Sequence, residues 1–158
     1  MQNLLGISLG TTKVGMAVFY NGRLADWRTK PFKDRWTDDK CRAIIENIER
    51  TLDRYTIGTI ALRSPIDTHS TPNLIRLVKE IERIAQERDI VMLGLTLRDL
   101  KWRYSHKYKV PRDVFISLLV EKYPILTMYT KGGKKSLRYH AKLFEAIECA
   151  EYALDMGL

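Results

Sequence analysis

A chain of 158 residues, 45% hydrophobic and 29% charged, has the length for one sizeable core and not for two well-packed ones. Its apolar stretches all fall short of the roughly 18–20 residues that cross a bilayer, so no membrane-spanning helix is expected. The formal net charge of +8 and a pI near 9.5 point to a polyanionic partner.

Residues 4–9 and 14–19 read as apolar strands joined by Gly10-Thr11-Thr12-Lys13. Asn21-Gly22 suits a type I′ turn into a third strand over residues 23–29. Thr37 is the expected N-cap of a helix whose first turn carries Asp38 and Asp39 and whose apolar stripe is Ile44, Ile45, Ile48 and Leu52. Residues 56–62 read as a buried fourth strand. Ser70-Thr71-Pro72 opens a second helix with Leu74, Leu77, Val78, Ile81 and Ile84 inward, and residues 90–95 form a short fifth strand. A polar, aromatic stretch follows over residues 96–109. Pro111-Arg112-Asp113 starts a helix to about residue 122, with Pro124 just beyond it. Residues 131–135 read as a loop and residues 136–154 as the last helix.

Three strands joined by tight turns, then β-α-β crossovers, imply an α/β fold: a mixed five-stranded sheet, antiparallel then parallel, with helices on both faces. Residues 1–158 are expected to form one domain, without repeats or linkers. The first strand starts so close to Met1 that no secretory signal is expected, and Cys41 and Cys149 lack metal-ligand spacing. Both are read as reduced thiols of a cytoplasmic protein.

Gly6-Ile7-Ser8-Leu9-Gly10-Thr11 resembles the Gly-Ile-Asp-Pro-Gly-Thr/Ser opening of the RuvC-type Holliday-junction resolvases, a ribonuclease H-like family. Leu95-Thr96-Leu97-Arg98-Asp99-Leu100-Lys101 is similar to that family's Tyr-Thr-Pro-x-x-Val-Lys segment, and the last two helices fall where the family has them. The resemblance covers nearly the whole chain. It implies two-metal phosphodiester hydrolysis in DNA recombination or repair, with four carboxylates as ligands, because hard divalent ions take oxygen donors and then activate water. Carried over position by position, those ligands become Ser8, Arg63, Lys142 and Glu145. One acid of four is left, and two positions hold cations.

The nearest substitute acids in sequence are Asp26, Asp67 and Glu148, but a fixed positive charge at Arg63 repels a dication from the same place. With no metal to neutralise Glu145, an Arg63–Glu145 pairing with Ser8 nearby is expected. The Gly10-Thr11-Thr12-Lys13 turn is also similar to the phosphate-gripping turn of actin-like and chaperone ATPases. Those proteins close a second domain over the nucleotide, for which this chain has no length.

The basic excess is local. Between Arg98 and Lys142 twelve bases stand against three acids, and the rest of the chain is near neutral. Lys101, Trp102, Arg103, Tyr104, Lys107 and Lys109 interleave cations with aromatic rings, a pairing suited to phosphates and unpaired bases. Lys131, Lys134, Lys135 and Arg138 extend the basic set, whereas His69, His106 and His140 are dispersed.

The reading is a RuvC-like protein that binds branched or structured nucleic acid, without a cofactor, with metal-dependent cleavage lost or severely reduced. A rival reading is an active divergent nuclease that uses Glu145, Glu148 and Asp67 with Mg or Mn; a third is an interaction scaffold for an acidic protein. The family's dimers imply a possible homodimer.

Overall fold

Alternation in the first strand defines the two faces of the sheet. In β1 (Asn3–Leu9), Leu5, Ile7 and Leu9 enter one core, while Leu4, Gly6 and Ser8 face the other way. β2 (Lys13–Tyr20) repeats the pattern, with Val14, Met16 and Val18 on the first face and Gly15, Ala17 and Phe19 on the second. The structure is a computed structural model that describes residues 2–10, 12–32, 35–63, 71–104 and 112–158, with backbone alone at 102–104 and 112.

β3 (Arg23–Pro31), β4 (Ile57–Arg63) and β5 (Val91–Leu95) complete one sheet of order β3-β2-β1-β4-β5. The β1–β2 and β2–β3 pairs are antiparallel, and β1–β4 and β4–β5 are parallel. This is the ribonuclease H-like arrangement expected from the element order. Asn21 and Gly22 both take positive φ, 49° and 76°, as a type I′ turn requires.

α1 (Asp38–Tyr55) and α2 (Pro72–Glu87) cover the first face. Each begins on a threonine cap: Thr37 accepts from the Lys40 amide at 3.1 Å and Thr71 from the Leu74 amide at 3.3 Å. Thr56, expected to start β4, instead closes α1 in the left-handed region at φ 49°. The second face carries α3 (Leu97–Tyr104), α4 (Arg112–Lys122), a 3₁₀ helix (Pro124–Tyr129), α5 (Gly133–Tyr139) and α6 (Ala141–Asp155).

Three of these differ from the sequence reading. α3 falls within the supposed polar stretch because Thr96 and Asp99 cap reciprocally: the Asp99 carboxylate accepts from the Thr96 amide at 2.8 Å and the Asp99 amide donates to the Thr96 hydroxyl at 3.2 Å. Leu100 then buries completely. The supposed loop 131–135 is partly helical, with Lys134 and Lys135 in the first turn of α5. The supposed last helix is two, broken at His140. That ring is drawn to the Thr29 hydroxyl at 2.8 Å and sits against Tyr129 and Tyr139, with centroids 4.5 and 4.9 Å away.

α6 is the central helix of this face, buried continuously over residues 143–151. It lies so low on the sheet that a Cβ at Gly6 would stand 2.0 Å from the Ala146 carbonyl oxygen, and one at Gly15 2.0 Å from that of Lys142. Backbone cannot yield locally, so the whole helix would have to lift. Gly6→Ala and Gly15→Ala are each expected to cost at least about 2 kcal/mol, a fall in melting midpoint of roughly 2–4 °C per kcal/mol. Gly94→Ala, where a methyl meets nothing within 4 Å, is the control that thermal unfolding should find nearly neutral.

Candidate functional site

The parallel strands β1 and β4 end side by side, with Ser8 in register with Arg63. In open α/β sheets the carboxyl ends of such strands are where ligands bind. Ser8 lies two residues beyond Gly6 on the α6 face, and Glu145 comes one residue before Ala146, whose carbonyl covers Gly6. The low seat of α6 therefore brings the two side chains together. The Ser8 hydroxyl, wholly buried, donates to Glu145 Oε2 at 2.5 Å. Lys142, one turn earlier, places Nζ 3.6 Å from the same oxygen.

Arg63 shares this neighbourhood. Burial pushes the thiol of Cys149 up; Glu148 and Glu145 push in the same direction, and the Arg63 charge opposes them. Glu148 is buried at 2% exposure. Both cysteines are free and buried, as read from the sequence.

A third buried glutamate, Glu151, was missed. It accepts from the Tyr123 phenol and pairs with Lys122 Nζ at 3.0 Å, so it joins α6 to the end of α4. Its signal in the sequence is Glu145, Glu148 and Glu151 at three-residue spacing among the apolar residues of α6, a stripe of carboxylates that must find donors when buried.

The other expected site residues divide by position. Lys131, Lys134, Lys135 and Arg138 are exposed on α5 and the turn before it. Lys101 is half-buried on α3. The side chains of Trp102, Arg103 and Tyr104, and Asp67, His69, His106, Lys107 and Lys109 entirely, lie outside the described residues. Asp26 is no substitute ligand: it pairs with Arg28 at 2.9 Å and accepts from the Tyr55 phenol at 2.9 Å, on the α1 face of the sheet. α5 is held beside the strand ends by Lys13, whose Nζ sits 4.3 Å from the centre of the Tyr139 ring, and by His140 on Thr29.

A two-metal centre needs carboxylates converging on the ions. Among the described residues no group of three or more His, Cys, Asp and Glu side chains could hold a metal. The donor chemistry agrees: Ser8 offers Glu145 a proton, and Lys142 offers it a charge, so protein donors already surround this carboxylate. The described residues do not fit the metals that the resemblance implies.

No family model and no curated protein matches the sequence. Solved structures do match, across nearly the full chain. Thermus thermophilus RuvC superposes at TM-score 0.73 with 14% identity, covering 98% of this chain and 96% of that one. The fold is that of the RuvC-type resolvases. T. thermophilus RuvC in complex with a Holliday-junction substrate gives TM-score 0.69 at 16% identity, with 99% and 97% covered. Fowlpox virus resolvase, solved with a Holliday-junction DNA, gives 0.61 at 14%, with 99% of each chain covered. Among the described residues no helix of this RuvC-like fold is long and apolar enough to cross a membrane.

Burial and the nearby Lys13 hold His140 below its ordinary 6.5. The unfolded chain therefore binds the proton more readily, and stability is lost as pH falls below the unfolded value. Urea unfolding at about pH 5.5 and about pH 7.5 should show His140→Gln narrowing the difference between the two that the parent protein shows.

Proposed function

We propose that this protein binds branched DNA across the carboxyl ends of β1 and β4, flanked by α5, with metal-dependent hydrolysis lost or severely reduced. The observation that carries the reading is the pinning of α5: Lys134, Lys135 and Arg138 are exposed on a short helix that Tyr139 and His140 fasten beside the Ser8–Glu145 contact. Cations held at that edge can neutralise backbone phosphates, and each contact releases counterions. The full-length structural likeness to proteins solved on Holliday junctions supports the same substrate.

Loss of hydrolysis follows from the donor set. Ser8, Arg63 and Lys142 stand at three of the four positions that the family resemblance assigns to carboxylates. Lys142 keeps a positive charge beside the acid at the fourth. Magnesium-dependent cutting of a four-way junction, abolished by Glu145→Gln, would replace this reading with that of a divergent nuclease.

Charge reversal at Lys134 and Lys135, and more strongly together with Lys107 and Lys109, should weaken binding of a four-way junction at low salt. The slope of log affinity against log salt should flatten by roughly 0.9 per lost duplex phosphate contact, or 0.7 on single strands. Fluorescence anisotropy across a salt series measures both. A parent protein that binds no nucleic acid would point to an acidic protein partner instead.

A further inference from the structure

We propose that Lys142 takes the place of a divalent ion, its ammonium meeting a backbone phosphate directly, so that nucleic-acid binding at this centre needs no metal. The inference rests on the nucleic-acid reading above and specifies how the strand-end centre meets its ligand.

The geometry separates a buried support from an available head. Glu145 is the buried partner, with its side chain 10% exposed, whereas the Lys142 side chain is 35% exposed. At 3.6 Å from Oε2, Nζ lies beyond hydrogen-bond distance of the carboxylate. The attraction is Coulombic and uses none of the three ammonium donors in a hydrogen bond to that carboxylate. Ser8 fixes that carboxylate from below through its 2.5 Å hydrogen bond, so the charge that steers Lys142 is itself held still. The Lys142 stem runs over Gly10, where an added Cβ would come within 3.3 Å of Lys142 Cε and 2.8 Å of the Lys13 carbonyl oxygen.

A second cation borders the same corner. Lys13 begins β2 directly after the turn that contains Gly10, and Tyr139 holds its ammonium from the other side. A divalent ion on carboxylates serves a phosphate by presenting positive charge at a fixed point. Lys142 on Glu145 presents positive charge there without recruiting an ion. The ligand class is the phosphodiester backbone, recognised by charge and not by base.

The test is junction binding by the full chain at constant ionic strength in EDTA, in Mg²⁺ and in Ca²⁺. The expected affinities agree within about twofold, Lys142→Ala weakens all three by about tenfold and flattens the salt slope by about 0.9, and Lys142→Arg retains most of the affinity. Binding that requires Mg²⁺ or Ca²⁺ overturns the proposal. So does a Lys142→Ala protein, folded by circular dichroism, with unchanged affinity and slope while Lys134→Glu still weakens binding; the nucleic-acid reading survives that result. If Lys142→Ala does not fold, the Lys142→Gln variant decides by the same affinity and salt slope. A parent protein that binds no nucleic acid under any of the three conditions removes the underlying reading and the proposal together.

Discussion

The seat of α6 on two positions without side chains governs the rest of the second face. Gly6 and Gly15 let the helix backbone touch the sheet backbone, so α6 buries its whole circumference between residues 143 and 151. A helix buried that fully cannot hide three carboxylates cheaply, since each demands donors or a partner charge. Ser8 and Lys142 meet that demand at Glu145, and Tyr123 and Lys122 meet it at Glu151. The position of α4 and the 3₁₀ helix is thus tied to a carboxylate on α6 as well as to apolar contacts such as Leu119 and Leu126.

Magnitudes separate these pairs from the ion pairs of the other face. Arg76–Asp38 and Arg83–Glu87 join exposed groups, pairs that contribute little and weaken further with salt. Glu151 is 3% exposed at the side chain, and removing a partner from a buried charge costs about 3–5 kcal/mol, less where the other group reaches solvent as Lys122 does. Among the described residues, the charges that tie the second face together are sheltered, while those on α1 and α2 stand in solvent.

The same accounting explains what has become of the strand-end centre. Carboxylates converging on one point repel one another and need metal to stay close. Here Ser8 and Lys142 turn toward the one remaining acid, and Arg63 is beside them in register. The aromatic group of Trp27, Tyr129, Tyr139 and His140 keeps α5 and its bases at the rim.

Much of that scaffold was legible residue by residue. The alternation of β1 and β2, the Asn21-Gly22 turn and the threonine caps of α1 and α2 are local signals, each contained within a few residues. The Thr96–Asp99 cap of α3 was equally local but overlooked in a stretch judged by its polarity. The break at His140 was not legible, because it answers to Thr29 on a distant strand. Nor was the partner of Glu145 determined by any spacing: Ser8 lies 137 residues away, and only the depth of α6 on the sheet brings the two into contact. The sequence by itself determined the order of the five strands, the two helices between them and the sheet topology, because periodicity and turn chemistry act over short range. Tertiary structure alone decided which charges compensate which, because that depends on how closely two backbones approach, and here the missing Cβ atoms of Gly6 and Gly15 set the distance.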